Sequence, residues 1–122
     1  MARLVRLDHV QLAMPEGRED DAVAFYSGLL GLARVPKPPV LAARGGCWFE
    51  GGEVTVHLGV DPAFVAATKA HPAFEVDDLD ALVADLARGG VAFTADDALE
   101  GVRRGYVVDP FGNRIELIAA SR

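Results

Sequence analysis

Cysteine is almost missing from this chain. Cys47 stands alone among 122 residues, which excludes an internal disulfide and any cysteine-rich zinc site. Histidine is scarce too, at three. Basic charge is in the minority, with 12 Lys and Arg against 18 Asp and Glu, and it forms no run. Nucleic acid is therefore not an expected partner. No apolar run approaches the length that spans a bilayer, so no membrane partner is expected. No charged-then-apolar leader opens the chain, and the expected location is the cytoplasm. What the chain has is apolar bulk. It is 51% hydrophobic and 25% charged, enough for an ordinary core in one domain over residues 1–122.

The chain repeats itself. Asp21-Ala22-Val23-Ala24-Phe25 resembles Asp80-Ala81-Leu82-Val83-Ala84, and the same offset places Gly31-Leu32 on Gly90-Val91. It also places residues 53–58 on residues 112–117. Asp8-His9-Val10-Gln11-Leu12-Ala13 matches residues 70–75 after an allowance for three extra residues near Pro15-Glu16-Gly17. Two modules of about sixty residues, near 1–61 and 70–122 with a linker over 62–69, are too small to fold apart and should share one core.

Each module reads as strand, helix, then three strands. Residues 4–14 alternate, with Val10, Leu12 and Met14 on one face and His9, Gln11 and Ala13 on the other. Ala22, Phe25, Tyr26, Leu29 and Leu30 fall at helical spacing, and Gly31 stops the helix. Pro36, Pro38 and Pro39 break the chain, and strands are expected near 40–44, 46–50 and 53–60. The linker has room for one helical turn. The second module predicts a strand near 70–76 and a helix capped by Asp78 that buries Leu79, Leu82, Val83 and Leu86. Strands near 91–94, 102–108 and 113–119 complete it, the last two joined by the turn Asp109-Pro110-Phe111-Gly112-Asn113. The fold class is α+β.

Strand alternation decides which side chains share a face. His57 points opposite to Val56 and Leu58, and Glu116 opposite to Ile115 and Leu117. His71 and His9 take the same non-core face at the first strand of each module. Three imidazoles and a carboxylate on one curled face suit a divalent ion such as zinc, nickel, manganese, cobalt or iron. They do not suit calcium, which prefers oxygen ligands. Scattered strand histidines on a half-exposed face fit the same pattern, because no short-range ligand motif is present.

The repeat, Leu7-Asp8-His9-Val10, Ala24-Phe25-Tyr26 and the segment from Asp109 to Leu117 resemble the vicinal oxygen chelate superfamily. This is the glyoxalase, bleomycin-resistance and extradiol-dioxygenase family. The resemblance covers nearly the whole chain and implies two βαβββ modules forming a curved mixed sheet. It implies metal ligands at His9, His57, His71 and Glu116. It implies a metal that chelates neighbouring oxygens of a small substrate for lyase or isomerase-type proton transfer, with Glu116 and His57 as catalytic residues. Two alternatives stay open. One is an extradiol-type dioxygenase using His9, His71 and Glu116, and the other is a metal-free small-molecule binding protein.

Further residues are weaker candidates. Arg103, Arg104 and Arg114 concentrate positive charge near the expected site, either for an anionic substrate or as solvated strand charges. Gln11 and Tyr106 are candidates for binding substrate, and Trp48 for lining the pocket. Cys47 reads as a small buried residue. Edge strands of such half-barrels need cover, so a homodimer is expected. The modules pair within one chain or across two; the sequence leaves both open.

Overall fold

In the computed structural model, which describes residues 1–121, the apolar stripes of the sequence fold into two four-stranded sheets. The first holds β1 (Val10–Met14), β2 (Ala33–Val35), β3 (Cys47–Gly51) and β4 (Val54–Val60), in the order β1-β4-β3-β2. The second holds β5 (Ala73–Val76), β6 (Thr94–Ala95), β7 (Arg104–Val108) and β8 (Arg114–Ala119), in the order β5-β8-β7-β6. In each sheet the first strand runs parallel to the last and the remaining pairs are antiparallel. The sequence repeat is thus a repeat of topology, and the α+β expectation with two modules holds.

Strand alternation supplies the core. Phe49, Val56 and Leu58 are fully buried from the first sheet, as are Val107, Ile115 and Leu117 from the second, to within 2% exposure. Helix α1 starts as Glu19–Ala22 and widens into π-helical turns over Val23–Leu29. The widening shows in the bond from Leu30 N–H to the Phe25 carbonyl, 2.9 Å. It buries Phe25 and Tyr26 against the sheet. Helix α3 (Leu79–Arg88) is capped by Asp78, whose carboxylate accepts from Ala81 N–H at 3.0 Å. Its burial is narrower than expected: Leu79 and Leu86 are buried, while Leu82 and Val83 stay half-buried against the core.

The structure corrects several boundaries. No strand forms over residues 40–44; Pro39–Ala42 is a short helix, α2, with proline in its first turn. Proline fixes φ near the helical value and lacks the N–H that a helix start leaves unpaired anyway. The second strand instead precedes the prolines, at Ala33–Val35, where it pairs with β3. The expected strands at 4–14, 70–76 and 91–94 begin later, at Val10, Ala73 and Thr94, where the ladders to β4, β8 and β7 start. His9 and His71 therefore sit just ahead of their strands rather than within them. Residues 62–63 form a turn closed by Phe64 N–H to the Asp61 carbonyl at 3.0 Å, in place of a helical turn.

Two hydrogen bonds, one buried and one partly buried, tie the modules together. Tyr26 on α1 donates to Asp109 at 2.7 Å, and the Asn113 amide donates to the carbonyl of Ala13 at 2.8 Å. Both Asp109 and Asn113 lie in the turn between β7 and β8. Gly112 adopts φ +90° there, a conformation that disfavours any side chain.

Candidate metal centre

Between Val56 and Leu58, both fully buried in the core, His57 turns to the opposite face of β4 and is itself 8% exposed. Its imidazole lies flat between two rings. Trp48 on β3 stacks at 3.9 Å between centroids and 3° between planes, and His9 stacks at 4.2 Å on the other. Cross-strand register explains Trp48, which is the direct partner of His57. The Nδ1 of His9 lies 2.8 Å from the Asp8 carboxylate. A carboxylate only accepts there, so Nδ1 carries a proton and donates.

Burial pushes the His57 pKa below the ordinary 6.5, and the facing His9 pushes it the same way, against a smaller opposing pull from Asp8 and Glu50. The folded chain thus binds fewer protons here than the unfolded chain once pH drops below that value. The metal-free protein is expected to lose stability as pH falls from about 6.5 toward the lowered value. A His57→Gln chain should lose less across this window. Equal pH dependence of the urea midpoints in the presence of chelator would contradict that assignment.

The second module builds a matching pair. His71 Nε2 stands 2.9 Å from Glu116 Oε1, and His71 Nδ1 stands 2.8 Å from the carbonyl of Lys69. The carbonyl accepts, so Nδ1 donates. Nε2 and Oε1 then converge on one point that needs a proton or a cation between them. Glu116 is 8% exposed. Burial raises its pKa, but hydrogen bonds from His71 and Arg104, with the charge of Arg104, outweigh this and hold it below the usual carboxylate value.

Arg104, which the sequence offered only as one of three arginines near the expected site, is the one bound to Glu116. It donates to Glu116 Oε2 at 3.2 Å and to the Tyr106 hydroxyl at 3.0 Å, and pairs with Asp96 at 3.1 Å. Arg104 and Tyr106 alternate along β7 and so share one face of it. Tyr106 meets His71 edge to face at 5.3 Å, and the Arg114 guanidinium lies 3.8 Å over the Tyr106 ring. Gln11 lies against Gly59 beside His57, where a Cβ on residue 59 would stand 2.5 Å from its amide nitrogen. Arg103 points away from this group and pairs with Asp80 on α3. Cys47 is buried.

The four candidate ligands thus gather two and two, His9 with His57 and His71 with Glu116. Among the described residues, no group of three or more His, Cys, Asp or Glu side chains comes close enough together to hold an ion. The donor types nevertheless fit a divalent transition metal. Three are imidazoles, two of them with Nδ1 engaged by an oxygen acceptor, and the fourth is a carboxylate held in its charged form. No described helix is long and apolar enough to cross a membrane.

Comparison with known proteins agrees with the architecture. The family model described as Glyoxalase/Bleomycin resistance protein/Dioxygenase superfamily matches residues 6–117. Among solved structures, a protein assigned to the glyoxalase family from Bacillus anthracis is 43% identical, with a TM-score of 0.93 over 99% of this chain and 100% of that one. A fosfomycin resistance protein from Listeria monocytogenes shares the fold at 16% identity and TM-score 0.77, covering 98% and 96% of the two chains. A glyoxalase/dioxygenase from Nostoc punctiforme does so at 20% identity and TM-score 0.77, covering 100% and 99%. No match is found among curated proteins. With two modules of the same topology, a family model spanning nearly the whole chain and a 43% identical relative of the same length, this chain belongs to the glyoxalase/bleomycin resistance/dioxygenase superfamily.

Proposed function

We propose that this chain is a metal-dependent enzyme whose centre is completed by a second copy. His9 and His57 of one copy and His71 and Glu116 of the other would hold one divalent ion. The observation that carries this reading is the pairing of the donors. Each half offers two ligand atoms, and neither half alone satisfies an ion that takes four or more. The N-terminal segment supports a second copy. Leu4, Val5 and Leu7 precede β1 with 103%, 91% and 81% exposure, an apolar strip that a partner would cover. When bound, the metal supplies Lewis-acid stabilisation of negative charge on a chelated substrate oxygen. His57, kept neutral by burial, and Glu116 are the groups placed to hold or move a proton. Gln11, Tyr106 and Arg114 would line the substrate, and Arg114, with no carboxylate partner among the described residues, favours an anionic one.

Metal analysis of tag-free protein, combined with light scattering, tests this reading. About one ion per chain in a dimer is expected, and Glu116→Ala and His71→Ala should each lose it. A monomer carrying a full complement of metal would refute the shared centre. No binding of zinc, nickel, manganese, cobalt or iron(II) under repletion would favour the second reading, a metal-free binding protein. The two-and-two gathering of the donors within one chain is the observation on that side.

A further inference from the structure

We propose that Arg104 is a positioning residue that fixes Glu116 as a one-oxygen metal ligand and so sets which divalent ion the centre prefers. The inference rests on the metal centre proposed above. The Arg104 guanidinium is held at three points: Glu116 Oε2, the Tyr106 hydroxyl and Asp96 Oδ2. A planar guanidinium bound this way cannot swing aside without breaking several charge-assisted bonds.

Its burial is costly. The Arg104 and Glu116 side chains are 12% and 11% exposed. Arg104 Nε is buried with no hydrogen-bond partner among the described residues. What Arg104 provides is a fixed positive charge on one carboxylate oxygen. Oε2 is engaged, and Oε1 alone faces His71 Nε2, 2.9 Å away. An ion entering there meets one carboxylate oxygen and an imidazole nitrogen. That favours ions content with nitrogen-rich shells, such as zinc, over manganese, which is better served by more carboxylate oxygen. Arg103 and Arg114 do not share the role. Arg103 is turned to Asp80, and Arg114 lies over the Tyr106 ring.

The test compares wild type, Arg104→Met and Arg104→Lys in the full chain. Zinc and manganese affinities are measured by competition with a chromophoric chelator, and thermal midpoints are recorded alongside. In Arg104→Met, zinc affinity is expected to fall about 10–100-fold while manganese falls less, narrowing the zinc-to-manganese preference by roughly tenfold. Arg104→Lys should restore part of the preference, since one ammonium reaches Glu116 but cannot also span to Asp96. If Arg104→Met does not fold, Arg104→Lys reads the same ratio, and a several-fold narrowing is still expected. An unchanged ratio, whether or not both affinities and the midpoint drop together, overturns the role of Arg104 alone. Failure of the wild type to bind either ion overturns the metal centre itself and the inference with it.

Discussion

A His9→Ala/His57→Ala chain and a His71→Ala/Glu116→Ala chain, each unable to hold metal alone, are expected to recover binding when mixed. The reason is geometric. Each variant destroys one half-site and keeps the other, so a mixed dimer of two-fold symmetry contains one site with both intact halves and one with neither. Random reassortment makes half of the dimers mixed, and total metal should return to about a quarter of the wild-type level. Co-expression with two different tags allows the mixed dimer to be isolated, where the level should reach about half. Absence of recovery in an isolated mixed dimer would sink the shared centre. So would a single variant that keeps its full metal content. The outcome separates the two placements that the sequence left open, because a centre closed within one chain gains nothing from mixing.

Replacing Asp109 with alanine is expected to be the most damaging single change to the fold. Asp109 is 3% exposed, and its two oxygens accept four hydrogen bonds. Oδ1 takes the backbone N–H groups of Phe111 and Asn113, each at 2.9 Å. Oδ2 takes the Tyr26 hydroxyl at 2.7 Å and the Asn113 amide at 2.9 Å. Alanine would strand all four donors in the interior. It would also release Asn113, whose amide bridges to the Ala13 carbonyl in the other module. The expected loss is on the order of 3–5 kcal/mol of unfolding free energy, since buried donors without partners bear their full desolvation cost. Asp109→Asn keeps an acceptor for the two backbone groups and should cost less, roughly 1–3 kcal/mol. Urea unfolding with chelator present measures this without the contribution of bound ions. A loss below about 1 kcal/mol in Asp109→Ala would show that the turn does not tie the modules.

This places the segment Asp109-Pro110-Phe111-Gly112-Asn113 in a different light from the candidate metal ligands. It carries much of the sequence resemblance to the superfamily, yet its contacts are structural. It closes the β7–β8 turn and fastens α1 and β1 to the second sheet. Its neighbour Glu116 emerges on the opposite face because β8 alternates, with Ile115 and Leu117 buried on the core side.

Much of the site was legible because strand alternation is local. Whether His57 or Glu116 faces the core follows from its immediate neighbours, and those neighbours are apolar in an alternating pattern. The repeat, the α+β class, the Asp78 cap and the closing turn were legible for the same reason, since each depends on a few adjacent residues. The position of the second strand was not. The prolines marked a break, but whether the strand lay before or after it depended on which segment could pair with β3.

What only the tertiary structure decided is which side chains meet. His57 is stacked by Trp48 through cross-strand register and by His9 from the residue ahead of β1. His71 meets Glu116 across 45 residues of sequence. Of three similar arginines, one is bound to Glu116, one to Asp80 and one lies over a tyrosine ring. These outcomes depend on strand register within each module, which pairs residues far apart in sequence and is chosen by the packed sheet. The sequence by itself determined the family, the two-module plan and the face that His57 and Glu116 take, because local chemistry encodes each of these. The division of the four candidate ligands into two pairs, and the coupling of Arg104 to one of them, came from the folded chain, because contacts between distant segments exist only once the sheets have formed.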